Sequence, residues 1–404
     1  MSEAVIVAAA RTPVGRAGKG SLRDMRPDDL AAFIVAEALA KVPELDPTSV
    51  DDLMLGCGLP GGESGNNMAR VVAVMNGLDT VPGTTVTRYC ASSVQTTRMA
   101  FHAIRAGEGE VFISAGVETV SRYTKGTSDH LPDTLNERFA EAQARTAATA
   151  QSNARWEDPR SAGALPDIYI TMGQTAENVA TLRGITRREM DEFGVLSQNR
   201  AERAIAAGFW AREITPVTTP DGTVVSADDG PRAGVSYEAV AQLKPVFRPD
   251  GAVTAGNCCP LNDGAAAVII MSASRAAKLG VKPLARIVAT GVSGLSPEIM
   301  GLGPVEATRR ALAHARMTID DIDLVEINEA FAAQVIPSYR DLGIDIDRLN
   351  VNGGAIAIGH PYGMTGARLQ ATMLNSLDWH DKSIGLITMC VGGGQGMALI
   401  LERL

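Results

Sequence analysis

Thr84-Thr85-Val86-Thr87-Arg88-Tyr89-Cys90-Ala91-Ser92-Ser93 is the stretch on which the reading of this chain turns. The β-branched run at 84–87 reads as a strand and the residues from Ala91 to about Ala106 read as a helix, so Cys90 stands at the break between them. A thiol at that position meets free backbone N–H groups and the positive end of the helix dipole, which favour thiolate. Two glycine-rich breaks near the C-terminus carry matching reactive side chains, Gly359-His360-Pro361 and Cys390-Val391-Gly392-Gly393-Gly394. A nearby His can take the thiol proton, and a second Cys can trade protons with a substrate carbon. One nucleophile and two acid–base groups, each beside backbone donors, is the equipment of acyl transfer through a thioester.

The composition sets limits around that core reading. A chain of 404 residues exceeds one ordinary domain, so two or three units with ample cores are expected. Hydrophobic content of 45% and 41 glycines fit an α/β enzyme rich in tight turns. A net charge of −9 argues against nucleic acid as a partner, yet a few Arg and Lys side chains suffice to hold a polyanionic co-substrate. No apolar run approaches the roughly 20 residues that span a bilayer, so no membrane partner is expected. Ala4 to Ala10, preceded by an acid and ended by Arg11, reads as a first strand and not as a signal peptide. Five cysteines without paired spacing point to a reducing compartment. Cys258-Cys259 lacks the gap and the His partners of a metal pair, so no metal is expected. The terminal Glu402-Arg403-Leu404 is not the Ser-Lys-Leu peroxisomal address, which leaves the cytoplasm as the expected location.

An internal echo runs through the chain. The first half has an apolar strand, a glycine-bounded loop, the strand–turn–helix at Cys90, then the strand Val111 to Ala115. The second half repeats the order with Ala285 to Ala289, the turn from Val351 to Gly366 into a helix, then Ile384 to Thr388. Strands alternating with helical patterns argue for α/β layers. Between about Val120 and Gly251 the texture changes to Ala-rich charged helix, a break at Trp156, and a helical stretch from Glu189 to Ala207 closed by Gly208.

Four blocks, in order, resemble those of the thiolase family. Cys90-Ala91-Ser92-Ser93 is similar to the segment carrying its acylated nucleophile, and Asn328-Glu329-Ala330-Phe331 to its Asn-Glu-Ala-Phe block. Asn352 to Gly366 matches the stretch ending in Gly-His-Pro-x-Gly, and Cys390 to Gly396 matches Cys-x-Gly-Gly-Gly-x-Gly. Thr254 to Ala267 matches a further block, and the likeness extends over essentially the whole chain. The resemblance implies two duplicated α/β halves in a layered arrangement, 1–119 with 252–272 and 273–404, plus an inserted loop domain at 120–251. That insertion would cover the active site and hold coenzyme A, and Thr254 to Met271 would return to the first half as its last strand. It also implies acyl-CoA substrates, coenzyme A as co-substrate with no permanently bound cofactor, and a homodimer or homotetramer.

Each candidate residue has a bland reading to weigh. Most lone cysteines are small buried hydrophobes. The turn position and the polar neighbours Arg88, Ser92 and Ser93 separate Cys90 from these. Among His102, His130, His314, His360 and His380, a helix-face His such as His102 or His314 reads as packing or surface. His360 differs because Gly359 and Pro361 fix a sharp turn that can push its ring into a cavity. Cys390 ends an apolar strand, but the glycines after it let backbone approach a ligand, with the N–H of Gly392 facing an oxyanion. Asn328, between the strand Leu324 to Ile327 and a helix expected from Glu329, reads as an N-cap. The resemblance makes its amide the holder of a water beside His360, with Glu329 in support.

The resemblance places Arg232 near the adenine nucleotide of coenzyme A, and Leu243 and Ala255 along the pantetheine channel. Cys259 stands where the family commonly has Ser, and a thiol is a poorer hydrogen-bonding group. Thr171 stands where enzymes that make acetoacetyl-CoA usually have His, which points to larger 3-ketoacyl groups and the degradative direction. Cys390 argues against a decarboxylating ketoacyl synthase of the same general fold. The complete set of reactive residues argues against a non-catalytic lipid carrier.

Overall fold

Ala265 to Met271 is an unbroken apolar run, and a strand of that kind must be covered on both faces. The computed structural model, which describes residues 2–125, 134–152 and 154–404, buries that run completely. The first half comprises β1 (Ala4–Arg11), β2 (Gly15–Arg16), α1 (Pro27–Ala40), β3 (Asp52–Cys57), α2 (Met68–Met75), β4 (Gly83–Val86), α3 (Ser92–Ala106) and β5 (Val111–Thr119). A long excursion follows, with α4 (Ala140–Thr149), α5 (Met172–Arg183), α6 (Arg187–Ala206), β6 (Val217–Thr218), β7 (Val224–Val225) and α7 (Tyr237–Ala241). The chain then returns through β8 (Asn262–Ser272) and α8 (Ala273–Leu279). The last part runs β9 (Ala285–Gly294), α9 (Gly303–Ala315), β10 (Leu324–Ile327), α10 (Ala332–Leu342), α11 (Ala355–Ile358), α12 (Tyr362–Trp379), β11 (Ile384–Val391) and β12 (Gln395–Arg403).

Strand pairing follows one rule twice. β1 pairs antiparallel with β8, β8 antiparallel with β5, β5 parallel with β3, and β3 parallel with β4. In the same way β9 pairs antiparallel with β12, β12 antiparallel with β11, and β11 parallel with β10. The isolated parallel bridge Val325↔Leu349 stands where a fifth strand of the second set would lie. Among the described residues the two sets pair through Val5↔Arg286 and Ile6↔Ala285. The duplication that was faint in the residues is plain in the topology.

Helices α3 and α12 occupy corresponding places in the two halves and pack against each other between the sheets. α12 is buried on nearly every side and touches β1, β5 and β8 of one half and β10 and β11 of the other. Their close approach depends on small residues: a Cβ on Gly366 would stand 2.4 Å from Val94 N. Polar side chains then stitch the pair, with Ser93 Oγ accepting from Ala367 N–H at 2.9 Å and Gln370 Nε2 donating to Thr97 Oγ1 at 2.9 Å. Outside this central layer, α1 covers β5 and β8 while α9 covers β9 and β12.

Three local expectations change. The strand before Cys90 is Gly83–Val86, and a 3₁₀ turn at Tyr89–Ala91 intervenes before α3. The return strand begins at Asn262 and not at Thr254, because 254–261 is spent on turns, including a hydrogen bond from Asn257 N–H to Thr254 O. The helix expected from Glu329 begins at Ala332 with Phe331 as N-cap, so Asn328 does not cap it.

Candidate active site

Cys90 is positioned by strain and by backbone. Tyr89 holds φ at +43°, uncommon for a bulky residue, and so turns the chain sharply at the start of α3. Ser92 Oγ fixes that turn, accepting from Arg88 N–H at 2.9 Å and donating to Tyr89 O at 2.6 Å. The thiol is buried, and the backbone N–H groups of Gly392 and of Cys90 itself favour its ionised form. Burial nevertheless wins and pushes the Cys90 thiol up to about 12. The helix start and the two N–H groups favour thiolate but do not offset desolvation, so the proton has to be taken by another group.

His360 is held from three sides. Gly359 has φ +116°, and a Cβ there would meet Val14 Cγ1 at 2.6 Å and the Asn262 amide at 2.7 Å, so only glycine serves this bend. Asn262 Oδ1 accepts the His360 N–H at 2.8 Å. Thr365 Oγ1 lies 2.6 Å from Nδ1 and sends its single proton to Pro361 O at 2.7 Å. That hydroxyl can only accept from the ring, so Nδ1 carries the proton and Nε2 is the bare nitrogen. Nε2 faces Asn328 Nδ2 at 3.3 Å, and Asn328 Oδ1 has no partner among the described residues. Burial, helped by Arg368, lowers the His360 imidazole to about 3. It is thus neutral, as a proton acceptor must be.

Cys390, near the end of β11, is fully buried, and its Sγ–H donates to Gln334 Oε1 at 2.9 Å. Burial first, and then Cys90, hold this thiol well above its ordinary range. Cys259 completes a cluster of thiols: burial and the proximity of Cys258, Cys90 and Cys390 push it up as well. Gly392, two residues past Cys390, packs against the Tyr89 ring, and its neighbours Gly393 (φ +76°) and Gly394 (φ +80°) make the tight return into β12. Among the described residues no group of three or more His, Cys, Asp or Glu side chains gathers as a metal site would.

Glu329 is buried and accepts from Ser197 Oγ at 2.6 Å, Asn350 Nδ2 at 2.8 Å and Ile356 N–H at 3.0 Å. It ties α6 of the excursion to the loop that leads into His360. The remaining positions lie farther out. Leu243 and Ala255 are exposed, and Leu243 Cδ1 would stand 2.8 Å from a Cβ on Gly256. Arg232 is exposed, with its backbone N–H donating to Gln198 Oε1 at 3.0 Å. Contacts link Leu243 to Ala255's neighbour but do not bring Arg232 to the thiols. Thr171 is the exposed N-cap of α5, between Ile168 and Met172, whose side chains reach toward Gly393 and Gly392. His130 lies outside the described residues.

Sequence reasoning passed over Thr365, Gln334 and Asn262. Thr365 sits inside the His360 block, five positions on, where a side chain of the new helix can turn back to the ring. Nothing local marks Gln334, whose partner is 56 residues away. Glu118 was also missed: fully buried, it accepts from Gly58 N–H at 2.7 Å and Gly363 N–H at 2.8 Å, anchoring the start of α12.

Comparison with known proteins agrees with this arrangement. Residues 4–274 match the thiolase N-terminal domain and residues 281–403 the thiolase C-terminal domain. The chain is 43% identical over 416 residues to a beta-ketoadipyl-CoA thiolase of Acinetobacter baylyi, covering 100% of each. It is also 43% identical over 410 residues to an acetyl-CoA acetyltransferase of Pseudomonas aeruginosa, again covering 100% of each. The crystal structure of the dimeric peroxisomal thiolase of Saccharomyces cerevisiae superposes with a TM-score of 0.89 at 32% identity, covering 100% of this chain and 98% of that one. The chain belongs to the thiolase family and is an acyltransferase with coenzyme A as its co-substrate.

Proposed function

We propose that this protein is a degradative 3-ketoacyl-CoA thiolase acting on acyl groups larger than acetoacetyl. The observation that carries the reading is the buried Cys90 thiol at the start of α3, with the Gly392 backbone and the Cys390 thiol beside it. Cys90 attacks the 3-keto carbon as His360 Nε2 takes its proton. The Cα–Cβ bond breaks, acetyl-CoA departs as an enolate, and Cys390 protonates the enolate carbon. A second coenzyme A then attacks the shortened acyl group on Cys90, with His360 and Cys390 handling protons. The N–H groups of Cys90 and Gly392 hold one oxyanion, and His360 with an Asn328-held water holds the other. Each such donor is worth about 2.7–4 kcal/mol, so neither set is dispensable.

The excursion at 120–251 serves in this reading as the cover that holds coenzyme A. Leu243, Ala255 and Cys259 line the pantetheine path, and Arg232 stands toward the nucleotide. A homodimer is part of the same reading. It is supported by β4, half-buried at the end of its sheet, and by the adjoining exposed Val74, Met75 and Tyr89. Five unpaired cysteines favour a reducing compartment such as the cytoplasm.

Substrate size rests on Thr171 and its apolar neighbours Ile168 and Met172 by the Gly392 loop. Without a polar ring at 171, each further buried CH₂ adds on the order of 0.8 kcal/mol. The test is a thiolysis panel from acetoacetyl-CoA upward, including ring-bearing 3-ketoacyl-CoAs. Higher kcat/KM for the longer or bulkier members is expected, with Thr171→His narrowing the gap. Preference of the native enzyme for acetoacetyl-CoA would replace this reading with biosynthetic acetoacetyl-CoA formation, which uses the same residues in reverse.

A further inference from the structure

Gln334 is fully buried at the third position of α10, where glutamine commonly turns back to cap its own helix. Here it does not. Its Oε1 accepts the Cys390 Sγ–H at 2.9 Å, and its Nε2 has no hydrogen-bond partner among the described residues. A buried amide N–H without a partner is costly, and such orphans concentrate where structure serves chemistry. The stem of the side chain is fixed. Its backbone N–H bonds Phe331 O at 3.1 Å, its carbonyl accepts from Ser338 Oγ at 2.6 Å, and its Cβ packs on Gly301, where any side chain would meet it at 2.7 Å. The terminal amide torsion is by contrast broad and two-fold, and a half-turn about it breaks no bond at Nε2 because none is made there.

We propose that Gln334 is the positioning residue for Cys390, an amide that accepts from the thiol and, after a half-turn, donates to the thiolate. The inference rests on the reading of Cys390 as the acid–base for the substrate carbon. In the thiolysis direction the S–H bond breaks as a C–H bond forms on the acetyl-CoA enolate carbon, and the electron pair of the S–H bond stays on sulfur. The turned amide then presents Nε2–H to that anion. Gln334 is the side chain that hydrogen-bonds the Cys390 thiol among the described residues. In reverse, the thiolate takes a proton from the acetyl-CoA methyl group and the amide turns back. A glutamate in this place accepts from the thiol equally well but has no N–H to donate, and its charge opposes the thiolate.

Two reactions separate this role from mere packing. Exchange of the acetyl-CoA methyl protons with deuterated water, followed against pH, reads Cys390. Acylation of Cys90 by a simple acyl-CoA reads the rest of the site. Gln334→Met, close to isosteric, is expected to acylate at a rate within about twofold of the native enzyme while exchange falls about ten- to a hundredfold. Gln334→Glu is expected to acylate likewise and to move the rising limb of the exchange profile to higher pH. Exchange unchanged in both variants, or exchange and acylation falling together, overturns the proposal. Cys390→Ala run alongside identifies which level fails. Exchange persisting in that variant removes the Cys390 assignment and this inference with it, whereas its loss leaves a negative Gln334 result as a failure of the amide alone.

Discussion

Cys90 and His360 stand at the same place in two copies of one motif, the connection that enters the central helix of each half, yet the two are held in opposite ways. Before α3 the chain bends at Tyr89 with φ +43°, and the thiol it delivers is met by backbone N–H groups. Before α12 it bends at Gly359 with φ +116°, and the imidazole it delivers is bonded through Thr365 and Asn328, with Asn262 holding its backbone. In the proposed mechanism the nucleophile changes partners as it becomes acylated, so donors that also suit a developing oxyanion are the right neighbours for it. The proposed base has to keep one tautomer through two proton transfers, so side chains that fix the ring suit it. One scaffold, used twice, is thus given two different sets of local bonds.

Removing the wired partner should produce the largest effect. His360→Ala is expected to slow Cys90 acylation by about 10³-fold, within the range that general base catalysis contributes. Stopped-flow release of coenzyme A measures it, and a loss under tenfold would mean that the thiol is activated by something else.

A smaller effect isolates the wiring itself. Thr365→Val keeps the shape and removes the hydroxyl that fixes Nδ1–H, so acylation should fall about 10²-fold or less. Thr365→Ser should restore most of it. Equal loss in both variants would show that the threonine methyl, and not its hydroxyl, is what matters.

The mildest probe is pH. A thiol pushed up to about 12 stays protonated until strongly alkaline solution, and an imidazole lowered to about 3 stays neutral until strongly acid solution. Between these limits the pair is neutral. Alkylation of Cys90 by iodoacetamide should therefore climb with pH from about 5 to 9 without a plateau, following the thiolate fraction. A plateau above about pH 6 would reveal a preformed thiolate–imidazolium pair.

The candidate reactive residues stand out in the sequence because each sits at a break that glycine, proline or a strand end announces. Cys90, His360 and Cys390 all fall at such breaks, and the alternation around them spelled the layers. The doubled strand order was not legible, since pairing of β9 with β12 or β1 with β8 spans more than a hundred residues. Asn328 misled as a cap because the three residues after it look helical by composition, while Asn257 O claims the N–H of Ala332 and sets the helix start there. Desolvation of Cys90 was invisible in the sequence, since it depends on what distant parts of the chain, the Gly392 loop among them, bring around the thiol. Gln334 acts through a partner far along the chain and no local pattern marks it; Asn262 lies in the matched block 254–267, but its hold on His360 spans 98 residues and is not written there.

In the proposed mechanism Cys90 carries the acyl group while the other thiols of the cluster do not. Incubation with an acyl-CoA in the absence of free coenzyme A, followed by intact-mass and peptide analysis, tests it most directly. One acyl group per chain is expected, on Cys90, removed when coenzyme A is added. Acyl label on Cys259 or Cys390 with Cys90 free would contradict it.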